Sequence, residues 1–159
     1  IQVEKDLDKL CRSVEQQRDY EVYKRDLLLE WRSLIDSVLC TKFPEVFEKR
    51  FDDEVGRFIA FPPLSEVAVS GKVYKNVVPN DFSYYMAKGL EHWILWKIGG
   101  GKIAKNELSE RLENDMLYWI NPPRLKSLPE IDHVHFIGKL KIQASVMPAP
   151  AMNGGNSKR

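Results

Sequence analysis

Cysteine is scarce in this chain: Cys11 and Cys40 are the only two among 159 residues, they stand 29 positions apart, and neither has a metal-ligand spacing around it. That scarcity excludes a disulfide-framework domain and a cysteine zinc site. Both fall in stretches that read as helix, where a small buried thiol is common, so they are expected to be reduced and the protein to be cytoplasmic or nuclear. Long apolar runs are missing as well. Nothing approaches the roughly 20 residues that span a bilayer and no signal peptide is visible, so no membrane partner is expected. The chain opens on Ile1 rather than methionine, which leaves room for a segment removed ahead of it. An excess of one charge is also lacking. With 24 basic and 23 acidic residues the net charge is +1, so net charge does not indicate a nucleic-acid partner. No internal repeat stands out.

What is present is ordinary for a globular protein, with 43% apolar and 30% charged residues. A chain of this length forms one domain and buries roughly two thirds of the surface that its unfolded state exposes. Residues 1–51 read as helical. Leu7, Leu10 and Val14, then Tyr20, Leu27, Trp31, Leu34, Ile35, Val38 and Leu39, recur at spacings of three and four, and Pro44 opens a short final helix through Val46, Phe47 and Phe51. The chemistry of this part is thin and its expected role is core. Pro62 and Pro63 end the helical pattern, and residues 72–146 are expected to be rich in sheet. Strand-like runs stand at "KVYKNVV", "EHWILWK", "LYWIN" and "DHVHFIGKLKIQA", with an amphipathic helix over residues 104–119. Helices followed by strands with one intervening helix predict an α+β domain over residues 1–146, its helices packed on a mainly antiparallel sheet. Residues 147–159, rich in Pro, Gly, Asn and Ser, read as a flexible tail.

Histidine is the informative rarity. Only His92, His133 and His135 occur, and the last two are separated by one residue in "DHVHFIG". Alternation along a strand places His133 and His135 on one face, with backbones about 7 Å apart. His92 begins another strand-like run, so neighbouring strands would bring all three together. Three imidazoles with an open position suit a metal-dependent enzyme, but no carboxylate stands in ligand spacing, and no metal ligand or cofactor is assigned. Paired histidines also suit phosphoester hydrolysis or transfer, in which His133 or His135 attacks phosphorus while Asn121, Lys126 and Ser127 hold phosphate oxygens. Asn80, Asp81 and Tyr84 follow Pro79 in a turn that orients a ligand from the edge, and His92 completes the set. A phosphorylated or nucleotide-like small molecule is the expected ligand. The bland alternative is a satisfied sheet face in a non-catalytic subunit that docks on a protein partner. "IGGGK" at residues 98–102 lacks Gly-x-x-x-x-Gly-Lys-Ser/Thr and reads as a connector, although Lys97, Lys102 and Lys105 make a local basic cluster.

Two blocks resemble known families. "NDFSYYMAKGLEHWILWK" and "WINPPRLKSLPEIDHVHFI" are together similar to the largely fungal N-acetylglucosamine-induced protein family. The matching positions are Asn80, Asp81, Phe82, Tyr84, His92, Trp96, Lys97, Trp119, Asn121, Pro122, Ser127, His133 and His135, with Lys126 and Asp132 as departures. The resemblance implies a shared fold and a shared face, and lends no reaction. The second block also resembles a distorted histidine-triad strand, with Ile131 where that superfamily has its first histidine.

Overall fold

The computed structural model describes residues 11–109 and 117–138. Helix α1 (Val14–Glu30) starts on a reciprocal cap: Ser13 Oγ accepts from Gln16 N at 3.1 Å while Gln16 Oε1 accepts from Ser13 N at 2.8 Å. Helix α2 (Leu34–Lys42) is capped by Ser33, whose Oγ accepts from Asp36 N at 3.2 Å in the first turn. Then come β1 (Glu48–Asp52), β2 (Arg57–Phe61), the short helix α3 (Leu64–Ala68), β3 (Tyr74–Pro79), β4 (Glu91–Ile98), α4 (Lys105–Ser109), β5 (Leu117–Trp119) and β6 (Asp132–Gly138).

The strands form two antiparallel sheets. Strands β1 and β2 make a hairpin, and the larger sheet runs β3-β4-β6-β5, so the strands holding the histidines are the two central ones. The fold is α+β, as the element pattern predicts. One face of the larger sheet, with Ile94, Trp96 and Ile98, packs with Leu39, Phe43 and Phe47 of the α2 region and Ala60 of the hairpin. The opposite face, with Leu95, Val134 and Phe136, packs against Ile103 and Leu108. No helix among the described residues is long and apolar enough to cross a membrane.

The helical expectation for residues 1–51 is corrected at its end. After Phe43 the chain turns through residues 44–46 and enters β1, and the helix through Phe51 does not form. The cause is pairing across the hairpin: Phe51 meets Phe58 edge-on at 5.3 Å, and the Arg50 guanidinium lies 3.3 Å from the Phe61 ring centre. Asp52 closes the turn by accepting from Glu54 N and Val55 N at 3.0 and 3.2 Å. The helix expected over residues 104–119 is present as α4, residues 110–116 lie outside the described residues, and Leu117–Trp119 is strand. The predicted tail and the strand-like run beyond Gly138 also lie outside them.

Lys97 does not join Lys102 and Lys105 in an open basic cluster around "IGGGK". Lys97 is buried on the face away from the histidines and donates to Glu107 Oε2 at 2.9 Å and to the carbonyls of Gly100 and Lys102 at 3.3 and 3.2 Å. Gly99 is held at φ +76°, and a Cβ there would lie 2.2 Å from the Lys72 carbonyl oxygen, so only glycine fits this approach. The three glycines and Lys97 therefore build a tight turn locked to Glu107. That carboxyl is lowered to about 2, chiefly by the Ala104 N–H and then by Lys75 and Lys97.

Candidate functional site

Register decides which side chains meet. Trp96 lies opposite His133, Ile94 opposite His135, and Trp119 opposite His135 on its other side. Alternation then places His92, Trp96, His133, His135 and Trp119 on one face, toward α1 and α2. The expected convergence of the three histidines is present: ring centres are 5.2 Å apart for His92 and His135 and 5.4 Å for His133 and His135. All three are at most 6% exposed.

Hydrogen bonds link His92 and His135 into one chain. Trp119 Nε1 can only donate, and it donates to Asn121 Oδ1 at 3.1 Å. The Asn121 amide nitrogen therefore donates to His135 Nε2 at 3.1 Å, which puts the His135 proton on Nδ1, where it bonds His92 Nε2 at 3.0 Å. On its other side His92 Nδ1 faces the Tyr84 N–H at 3.3 Å, with Ser83 Oγ 3.4 Å away and the Asn80 amide nitrogen 3.3 Å from both ring nitrogens. Tyr84 stacks over His92 at 5.2 Å, and Trp119 stacks on His135 at 5.3 Å with planes 10° apart. Both nitrogens of His135 are thus engaged within the protein.

His133 differs. Its Nδ1 donates to the Ile131 carbonyl at 3.0 Å, while its Nε2 has no partner among the described residues. Beside it, 4.8 Å between ring centres, lies Trp96, whose indole nitrogen is the one fully occluded polar side-chain atom without a partner among those residues. Burial keeps all three imidazoles neutral. It takes His92 down to about 4, with Arg12 adding to the effect. His133 is lowered by burial against the opposing pull of the Ile131 carbonyl, and His135 is well below its ordinary range through burial and then its two histidine neighbours.

Above this face lies a cavity of about 160 Å³. His133, His135, Trp96 and Asn121 line its floor, Tyr84 and Phe82 a wall, and Tyr20 and Leu27 of α1 the far side. Three cations line it from the helical layer: Arg12, Lys24 and Lys42. Arg12 sits 4.1 Å from the Tyr20 ring centre and donates to the Phe82 carbonyl at 3.1 Å, with no carboxylate partner among the described residues. Lys24 pairs with Glu21 and Lys42 with Asp81, each at 2.7 Å.

Of the residues singled out from sequence, Asn80, Asp81, Tyr84, Asn121, Ser127, His133 and His135 line the cavity. His92 lies behind Tyr84 and does not, and Lys126 faces Asp132 at 3.7 Å instead. The three imidazoles do not aim at a common point, because His92 and His135 bond each other. No group of three or more metal-ligating side chains among the described residues is arranged to hold an ion. Sequence reasoning missed Arg12, Tyr23, Lys24 and Lys42. Helix α1 has no buried residue, so it is a cover over the cavity rather than the core element expected. The signal available was Tyr20, Tyr23, Lys24 and Leu27, which share one helical face and mix cation with aromatic.

Residues 1–107 match the model of a family described as a protein of unknown function, DUF3605. That span takes in α1, α2 and His92 and stops short of β6. No curated protein matches. Among solved structures, a crystal structure of HTC1 is similar at 16% identity with a TM-score of 0.51, covering 82% of this chain and 76% of that one. At that identity the likeness is one of fold.

Proposed function

The chain belongs to the DUF3605 family, and for this member we propose that the cavity binds a phosphorylated or nucleotide-like small molecule, its anion at Arg12, Lys24 and Lys42 and its less polar part directed inward. One observation carries this: the cations that line the cavity come from the helical cover, while the histidine floor is neutral. A phosphate dianion placed against neutral, buried imidazoles would lose its hydration without gaining a cation, whereas beside Arg12 it gains both a charge and a planar donor fork. Binding is therefore favoured over attack on phosphorus. Histidine-dependent phosphoester chemistry, where it occurs, falls to His133, since His135 has no nitrogen to spare. The resemblance to N-acetylglucosamine-induced proteins adds sugar phosphates to the ligands to be tried. A cytoplasmic or nuclear setting belongs to the same proposal, supported by Cys11 and Cys40 both being free thiols.

The test is a thermal-shift screen of nucleotides and sugar phosphates followed by calorimetric titration of Arg12→Gln. A true ligand at one hundred times its Kd stabilises by about 2.7 kcal/mol, and Arg12→Gln is expected to weaken it at least tenfold when titrated below the variant's own ligand-free melting temperature. Equal affinity in the variant, or no phosphorylated compound that raises the melting temperature, defeats the proposal.

A further inference from the structure

Two residues that line the cavity floor, His133 and Trp96, each have a polar ring atom without a partner among the described residues, and the two atoms are opposite in kind. His133 Nε2 presents a lone pair, because the proton of that ring is fixed on Nδ1 by the Ile131 carbonyl. Trp96 Nε1 presents an N–H and nothing else. The two rings are neighbours across one register pair of the central strands. Every other ring nitrogen of this face is spoken for, by Asn121, by the His92–His135 bond, by Ser83 or by Asn121 Oδ1. A hydrogen-bonded face that leaves a donor and an acceptor unused on two neighbouring rings, both rings lining a cavity, marks where an outside group completes it.

The complement of an acceptor beside a donor is a donor beside an acceptor. Size limits the choice further. Whole-ligand pockets run from about 300 to 1,000 Å³, and this cavity of about 160 Å³ accommodates one ring-sized group with the rest of the molecule outside. The walls that such a ring would meet are aromatic, from Tyr84, Phe82 and Tyr20.

We propose that the floor recognises the edge of a planar heterocycle, an N–H beside a carbonyl or ring nitrogen, so that the ligand is a nucleobase-bearing phosphate held base inward. An N–H of the heterocycle, the ring imide of uracil or the exocyclic amine of adenine, donates to His133 Nε2 and the acceptor beside it takes the Trp96 N–H. Trp96 Nε1 is screened from open space, so the floor gives slightly on binding, whereas His133 Nε2 is engaged as it stands. This rests on the binding role above, and it goes further by choosing the nucleotide over the plain sugar phosphate and by fixing its direction.

Calorimetric titrations with uridine and adenosine 5′-monophosphates against ribose 5-phosphate test it. At least one of the nucleotides is expected to bind tenfold or more tighter than ribose 5-phosphate. Trp96→Phe is expected to lose about five- to tenfold in nucleotide affinity, the worth of one hydrogen bond to a buried donor, with ribose 5-phosphate unchanged. Equal affinity for ribose 5-phosphate in the wild-type protein overturns the inference whether or not any variant folds, and so does a folded Trp96→Phe protein with unaltered nucleotide affinity. Either result, with Arg12→Gln still weakening both ligands, leaves the cation-rim role standing. A nucleoside that binds as well as its phosphate has the reverse meaning, because the floor is then right and the rim wrong.

Discussion

Asp36 and His135 are both buried polar groups, 2% and 6% exposed, and each is the hub of a hydrogen-bond cluster. The Asp36 carboxylate takes two parallel bonds from Arg32 at 2.9 and 2.8 Å, one from Ser33 Oγ at 2.5 Å and one from Ala60 N at 3.0 Å. Both oxygens are occupied, and the cluster ties α2 to the hairpin. The histidine face is equally buried, yet beside its hydrogen-bonded chain it carries a donor at Trp96 and an acceptor at His133 that have no partner among the described residues. A polar cluster that closes on itself holds a fold together. One that stays open beside a cavity is poised for a partner from outside.

The largest effect that separates the two clusters is expected at the closed one. Asp36→Ala removes a buried carboxylate, frees the Arg32 guanidinium and strands the Ala60 N–H. It should destabilise the fold by about 4 kcal/mol, partly relieved because Arg32 can reach water. Urea denaturation measures this, and ligand affinity of the remaining folded protein should not change. A loss below about 1 kcal/mol would mean that the cluster is ornament and that closure does not signify structure.

That contrast also explains what was legible in the sequence. Period-two alternation in "DHVHFI" was enough to place His133 and His135 on one face of their strand, because side-chain direction in a strand follows from the backbone alone, whereas the pairing of β4 with β6 that brings His92 to them is a matter of register. Helix α2 was legible for a similar reason, since the recurrence of Ile35, Val38 and Leu39 at helical spacing is contained within one short window. The hairpin was not. "EKRFDDEVGRF" is polar and its strands gain most from each other, through Phe51 on Phe58 and Arg50 on Phe61, which are cross-strand contacts that neither helical nor alternating periodicity registers. Asp36 passed as one more charge on a helix, and its burial depends on Ala60, 24 residues away. The cation rim escaped notice because Arg12, Lys24 and Lys42 are spread over the helical layer and meet only when α1 lies across the sheet. Residues whose role follows from periodicity were found, and residues whose role follows from tertiary closure were missed.

Acid should open the second cluster before the first layer of carboxylates titrates. His92 has a folded value of about 4 against an ordinary 6.5, so between those limits the unfolded chain binds more protons than the folded one, and stability falls as pH falls. His92 alone accounts for about 2 kcal/mol lost by pH 5 and about 3 near pH 4, and the lowered His133 and His135 act in the same direction. Glu107, lowered to about 2, begins to cost stability only below its ordinary 4.5. Denaturant midpoints from about pH 7.5 to about pH 5 should therefore decline with an onset near the ordinary histidine value of about 6.5. A flat profile over that range would show that the imidazoles are not held neutral in the folded protein.

The smallest expected change is the sharpest discriminator. Trp96→Phe keeps an aromatic ring between His133 and the α2 core but removes the N–H that has no partner among the described residues. An unpaired buried donor costs about 1 to 3 kcal/mol, and its removal offsets the packing lost with the smaller ring, so ligand-free stability should stay within about 1 kcal/mol of wild type. At Asp36 every polar atom removed was in use, and the loss falls on the fold. At Trp96 the polar atom is idle until something binds, so deletion should leave the melting curve nearly unmoved and show itself in affinity. If Trp96→Phe instead unfolds the protein as readily as Asp36→Ala, the indole N–H has a partner in solution, the histidine face is as closed as the carboxylate cluster, and the distinction between the two regions disappears.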